Sequence, residues 1–360
     1  LKLKERQEYD FAAPDLGTLV HAVLRCIGER LLEEGRPWRE LKDDEILSLC
    51  TVETERAAAE AANNILMSDA YFRQIKNRVV ATLVRTVRQL RDFSEGSEFS
   101  VRALEQPFGT KGAWKGLNFN LPDGVKVELV GQIDRVDTLE LDGRTFILIV
   151  DYKSGKKSIT LPEVYSGLEL QLFLYMAVAR RNLGSKAVPA GAVYCRVRND
   201  VQRCSAEPTA AEKERAYIKA GQLSGFYLND SDVVRALDDC TMEGRAASPY
   251  SGLKINNDGT LKKAANVSDE AEWYRLLRLV EAAACRSASE LTGGCIDIYP
   301  ARWGSSNEHK ACDYCPYAAL CRFDVTAEDG NSWNYLGNLS IDDLFPDTVI
   351  VKDGGQDGVD

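Results

Sequence analysis

Through the first hundred residues, apolar positions recur at intervals of three and four, the spacing of a helix with one buried face. The pattern predicts helices over about 16–32, with Asp15 placed to cap the first, and over about 43–62 and 69–92. In the last of these, Phe72, Ile75, Val79, Leu83, Val87 and Leu90 form one stripe. Arg73, Arg78, Arg85, Arg88 and Arg91 fall on the opposite side, Lys76 stands apart, and no acidic residue lies between Tyr71 and Arg91. Such a face is either solvated and packed from behind or turned toward phosphates. Arg78, Arg85 and Arg88 are the candidate phosphate contacts under the second reading.

From about 99 to 200 the period shortens to two. VKVELVGQIDRVDTLEL and RTFILIVDYKS read as strands joined by a turn at Leu141-Asp142-Gly143. A leading strand over Val101–Phe108, a helix over about 163–182 and an apolar strand at Ala190–Arg196 complete the set. The expected core is therefore α/β, strand–strand–helix–strand, with helices flanking a mixed sheet. Helix-like spacing returns over 205–290, broken by a Gly/Asn/Lys-rich loop near 250–265. The segmentation that follows is a helical part (1–98), a core (99–204), a helical insertion (205–292), a cysteine-bearing region (293–325) and an acidic, Gly/Asp-rich tail (326–360). No internal repeat is visible.

Composition narrows the class. At 44% hydrophobic and 28% charged, the 360 residues are globular rather than disordered. No apolar run approaches the roughly 20 residues needed to span a bilayer, and the charged start LKLKERQEYDF is unlike a secretory signal. A first residue of Leu rather than Met points to an excerpt from a longer protein, with a processed N-terminus as the alternative. The net charge of −10 argues against a surface coated with phosphate-binding cations. It leaves room for a local basic patch and for metal-binding carboxylates. Ten cysteines in a chain large enough to bury a core read as mostly reduced thiols, which fits a cytoplasmic protein.

The candidate chemistry lies in Gly131-Gln132-Ile133-Asp134-Arg135 and, seventeen residues after Asp134, Asp151-Tyr152-Lys153. Alternate residues of a strand share a face, so Asp151 and Lys153 point one way and Tyr152 the other. Asp134 lies on the neighbouring strand. Two carboxylates on adjacent strands can hold one hard divalent cation, with an ammonium beside it. That equipment suits phosphodiester hydrolysis. A D-x-K triplet alone is commonly an ordinary surface pair. Here, however, Asp151 ends the apolar run Phe146–Val150, where a charge needs a reason.

GQIDRVD, IVDYKSG and the following Gln171-Leu172-Phe173-Leu174-Tyr175 resemble the RecB-like branch of the PD-(D/E)xK nucleases. The resemblance implies a restriction-endonuclease-like fold, Mg²⁺ (or Mn²⁺) as cofactor and DNA as substrate. It implies Asp134 and Asp151 as metal ligands, Lys153 as catalytic, and Gln171 and Tyr175 as catalytic or DNA-positioning residues on one helix face. Gly17-Thr18-Leu19-Val20-His21 is similar to the branch's G-x-x-x-H pattern and implies His21 as a further ligand. From the residues alone, His21, one of two histidines, would be packed or solvated. Glu105 resembles the acidic residue often found on the first strand.

Cys312, Cys315 and Cys321 form C-x₂-C-x₅-C, a spacing that can chelate zinc or an iron–sulfur cluster but is one ligand short. The run is similar to that of the B subunits of AddAB-type helicase–nucleases. That likeness implies a 4Fe–4S cluster whose fourth cysteine lies upstream of this segment, an incomplete cluster in the excerpt, and an AddA-like helicase–nuclease partner. It further implies a role at unwound duplex ends, in the resection that precedes recombinational repair. No G-x₄-G-K-[ST] loop is present, although Ser154-Gly155-Lys156-Lys157-Ser158 imitates its ending, so no ATPase is expected. The alternatives are a DNA-end-binding scaffold that has lost turnover, or a stand-alone RecB-like exonuclease.

Overall fold

The structure is a computed structural model. It describes residues 13–61, 70–110, 112–155, 157–197, 207–239, 248–254, 256, 261, 266–306, 308–313, 315–326 and 332–339. Internal contacts divide the chain into two compact units: Leu1–Asn118, Glu128–Ser158 and Tyr175–Glu270 form the first, and Phe119–Val127, Ile159–Leu174 and Ala271–Asp360 the second. No helix among the described residues is long and apolar enough to cross a membrane.

Among the described residues, the α-helices α1 (Ala13–Glu33), α2 (Asp43–Ala61) and α3 (Ala70–Glu95) open the first unit. The helix α1 begins at Ala13, so Asp15, expected at its cap, lies within its first turn. The buried stripe of α3 includes Val79, Leu83, Val87 and Leu90, at the spacing expected for a core-facing helix.

The strands follow as β1 (Ser100–Phe108), β2 (Leu117–Asn120), β3 (Lys126–Leu129), β4 (Gly131–Leu141) and β5 (Arg144–Lys153). Next come the helices α4 (Leu161–Tyr165) and α5 (Gln171–Leu183), then β6 (Ala187–Arg196). The β4–β5 turn places Asp142 at φ 50° and Gly143 at φ 70°, the two left-handed positions that let a two-residue hairpin follow the strand twist. β1, β4 and β5 are successively antiparallel, whereas β5 and β6 run parallel. Phe146–Val150 and Ala187–Cys195 are buried throughout, as a parallel pair covered on both faces requires. Each such Val, Ile or Leu contributes about 1.5–3 kcal/mol relative to exposure.

Two expectations change. The helix expected over 163–182 is two helices, since Gly167 at φ 80° lies between them in a conformation no helix continues through. The stretch over 205–290, expected to be helical apart from a loop near 250–265, has among its described residues α6 (Ala210–Ala220), β7 (Ser224–Leu228), α7 (Ser231–Leu237), β8 (Val267–Ser268) and α8 (Glu270–Thr292). β7 and β8 extend the sheet to six strands in the order β1-β4-β5-β6-β7-β8. Gly225 makes the β6–β7 pairing possible, because a Cβ there would stand 2.1 Å from the carbonyl oxygen of Ala192.

The second unit holds most of α8 and a three-stranded sheet of β9 (Ala301–Trp303), β10 (His309–Lys310) and, after the short helix α9 (Ala318–Cys321), β11 (Asn334–Gly337). β11 gives the expected tail an ordered beginning; residues 340–360 lie outside the described part.

Candidate metal and catalytic centre

The strand registers assemble the acids. β1 pairs Leu104 with Arg135 and Gln106 with Ile133, which sets Glu105 across from Asp134. β4 pairs Arg135 with Val150, so one further step sets Asp134 across from Asp151. Three carboxylates from three adjacent strands thus share one row. The β4–β5 ladder opens at this row: the Tyr152 N–H donates at 2.8 Å to the side chain of Asp134, at Oδ2, rather than to a backbone carbonyl. Glu105 has φ 43°, a left-handed conformation costing a residue with a side chain about 1–3 kcal/mol, of the kind concentrated at functional sites. Its Oε2 accepts from Gln132 Nε2 at 2.5 Å.

α1 supplies His21. Its Nε2 lies 3.1 Å from the Tyr152 carbonyl, which can only accept, so this nitrogen carries the proton. Nδ1 then faces Glu105 Oε1 at 3.4 Å and Asp134 Oδ2 at 3.5 Å. Among the described residues, His21, Glu105 and Asp134 form the one set of three metal-ligating groups whose donor atoms lie within 4.8 Å of one another. Burial disfavours the charged ring, but Asp134 and Glu105 outweigh it and push the His21 pKa up to about 10. In the absence of a cation, a proton on Nδ1 compensates the carboxylates.

Asp151 is 1% exposed. Its Oδ2 is 2.6 Å from Lys153 Nζ, while Oδ1 is buried without a hydrogen-bond partner. Burial, and then the charge of Asp134, raise its pKa to about 6 against the pull of Lys153 and His21. A buried carboxylate oxygen left unsatisfied, beside a cluster of two more carboxylates and a ring nitrogen, is a donor set suited to a hard divalent cation. A cleft of about 540 Å³ opens on His21 and Glu105, walled by Gly17, Thr18, Ala22, Arg25 and Gln132.

Residues 1–322 match the PD-(D/E)XK nuclease superfamily. The chain belongs to that superfamily. It is 36% identical to the B subunit of the ATP-dependent helicase/deoxyribonuclease of Bacillus thuringiensis (strain Al Hakam) and 36% to that of Bacillus cereus (strain ZK / E33L). Identity to the protein of the same name from Bacillus anthracis is 35%. Each alignment covers 99% of this chain and 30% of the relative, so the chain spans under a third of the relatives' length.

Asp134, Asp151 and Lys153 lie on one face of the sheet. The opposite face holds charges that spacing alone does not single out. Arg135, 3% exposed, forks onto Asp137, 1% exposed, with its Nε 2.8 Å from Oδ1 and Nη2 2.7 Å from Oδ2. The Arg135 guanidinium also lies 5.1 Å from the centroid of the Trp38 ring. The Tyr152 phenol is buried beside Arg135, and burial raises its pKa despite that cation. The Arg135–Asp137 pair, both members on β4, is buried on the face opposite Asp134 and Asp151.

The remaining expected residues fall elsewhere. Tyr175 meets Phe108 edge-on, with ring centroids 5.9 Å apart, at the end of β1. Gln171 opens the same helix but belongs to the second unit. On α3, Arg88 and Arg91 are engaged by Asp43 at 3.1 and 2.7 Å. Arg78 and Arg85 are exposed. In the second unit, Cys312, Cys315 and Cys321 are free, partly buried thiols. Burial, and then the neighbouring Cys315 and Cys321, raise the Cys312 pKa, so the three lie within electrostatic reach of one another.

Proposed function

We propose that this chain is the nuclease domain of an AddB-like subunit, a Mg²⁺-dependent deoxyribonuclease cutting a single strand delivered from an unwound duplex end. The observation that carries this reading is the convergence of His21 Nδ1, Glu105 and Asp134 beside the buried Asp151–Lys153 pair. His21, Asp134 and Asp151 hold Mg²⁺ or Mn²⁺, with Glu105 as a further donor. When bound there, the cation supplies Lewis acidity at the scissile phosphate. Lys153, held by Asp151, directs its ammonium to the phosphoryl oxygens or to the attacking water. Tyr152 keeps His21 in the tautomer that presents Nδ1 as a lone pair. Tyr175 steadies the β1 end through Phe108, Gln171 positions DNA, and Arg78 and Arg85 meet phosphates farther along the strand. Arg88 reaches DNA only by leaving Asp43.

Support for the larger setting comes from relatives whose names join a helicase to a deoxyribonuclease. We place the domain in the cytoplasm, with an AddA-like partner, in the end resection that precedes recombinational repair. Cys312, Cys315 and Cys321 supply three thiolates to a 4Fe–4S cluster whose role is structural, and a fourth ligand comes from elsewhere in the protein. The test is cleavage of single-stranded DNA with Mg²⁺. Alanine at Asp151 or Lys153 abolishes it, and cleavage left intact in either variant rules the reading out.

A further inference from the structure

The Ser154–Ser158 run ends like a phosphate-binding loop without being one, and the site described above leaves Lys157 without a role. The chain bends at Ser154-Gly155, and Lys157 reaches the aromatic ring that Lys153 also reaches. That ring is Tyr194, 2% exposed on β6 and directly beside Asp151 in the β5–β6 register. Lys153 Nζ lies 5.5 Å from its centroid and Lys157 Nζ 5.6 Å. Arg196 pairs with Lys153 in the same register and adds a third cation on that side of the sheet. The quadrupole of a tyrosine face attracts an ammonium, which favours gathering the two lysines there. Their mutual repulsion opposes it. A polyanion laid across the row relieves that repulsion, and the row leads straight to Asp151.

We propose that Lys157 binds a non-scissile phosphate of the single-stranded substrate, and that Tyr194 is a positioning residue whose ring face holds Lys153 and Lys157 in line with the metal centre. The proposal rests on the nuclease reading and goes further, by assigning the contact that sets the register of the strand on the site. It predicts a two-phosphate footprint, with Lys153 at the phosphate that is cut and Lys157 at a neighbour.

The experiment measures binding of a fluorescent oligothymidylate against salt, with Ca²⁺ replacing Mg²⁺, and kcat and KM with Mg²⁺. The proteins are the parent chain, Lys157→Gln, Tyr194→Phe and Tyr194→Leu. Losing one phosphate contact flattens the slope of log K against log salt by about 0.7 for a single strand. Lys157→Gln should show that change and a raised KM, with kcat held within about twofold, the sign of lost uniform binding. Tyr194→Phe keeps the ring and should match the parent. Tyr194→Leu should flatten the slope as Lys157→Gln does and also lower kcat, because Lys153 is released. An unchanged slope in Lys157→Gln overturns the phosphate contact. Equal damage from Tyr194→Phe and Tyr194→Leu overturns the ring's role. Should Tyr194→Leu fail to fold, Lys157→Gln and Tyr194→Phe decide. A parent chain that binds but does not cleave refutes the nuclease reading, while the binding slopes still judge Lys157.

Discussion

The backbone of Tyr152 joins the two sides of the candidate metal centre: its N–H donates to Asp134 Oδ2 at 2.8 Å and its carbonyl accepts from His21 Nε2 at 3.1 Å. One residue of β5 therefore orients both a carboxylate from β4 and an imidazole from α1. Neither bond needs the charge of Asp134, only an oxygen facing Tyr152. Asp134→Asn should accordingly preserve the fold while removing the charge that a cation needs. The expected result is a melting temperature close to the parent's without metal, and loss of the upward shift that Mn²⁺ gives the parent. Thermal melts with and without Mn²⁺ check it; an undiminished Mn²⁺ shift in Asp134→Asn removes Asp134 from the ligand set.

At the candidate metal centre, protons would compete with a bound cation. His21 is pushed up to about 10 and Asp151 up to about 6 without metal, so near pH 8 His21 is protonated and Asp151 is ionised. Metal binding to Nδ1 must then displace one proton. Apparent affinity should rise by about tenfold per pH unit between neutral pH and the His21 pKa, and level off above it. Below about pH 6 a second proton, from Asp151, steepens the fall. Calorimetric titration with Mn²⁺ near pH 8, in two buffers of different ionisation enthalpy, should report close to one proton released. A count of zero would mean that His21 does not ligate.

Much of this centre is visible in the sequence because strand alternation is strict. Asp134 and Asp151 fall on one face, and the apolar run ending at Asp151 marks a buried strand terminus. The hairpin between them is written in Asp142-Gly143, where the turn needs two left-handed residues. What is not visible depends on partners distant in sequence. The commitment of Arg88 to Asp43 joins α3 to α2, and no periodicity encodes it. β7 is a five-residue strand between helical patterns, a length at which strand and buried helix look alike. The left-handed backbone of Glu105 has no residue signature at all, since glycine is the usual occupant.

That conformation of Glu105 makes its own prediction. Relieving it with glycine should stabilise the metal-free chain by about 1 kcal/mol, partly offset by the greater freedom of the unfolded chain. The same change removes a donor from the cluster and should weaken Mn²⁺ binding. Urea midpoints without metal, set beside Mn²⁺ titrations, separate the two effects. Glu105→Gly that is less stable and yet binds Mn²⁺ as well as the parent would show that the carboxylate serves packing and not the cation.

The Arg135–Asp137 pair is buried behind the candidate metal site, so its loss should be costly and asymmetric. Asp137→Ala leaves a guanidinium at 3% exposure without its fork partner, and breaking a buried pair in this way costs about 3–5 kcal/mol. Replacing both residues by apolar ones of similar volume, Arg135→Met with Asp137→Leu, removes the stranded charge and should recover most of that loss. The double variant still keeps Asp134, Asp151 and Lys153. If the pair serves only stability, the double variant cleaves DNA as the parent does. If it also sets the β4–β5 register behind the acids, stability returns but kcat stays low, because a small misplacement of catalytic groups is expensive. Urea unfolding and single-turnover cleavage on the same two variants distinguish these outcomes, and the burial of the pair directly beneath Asp134 favours the second.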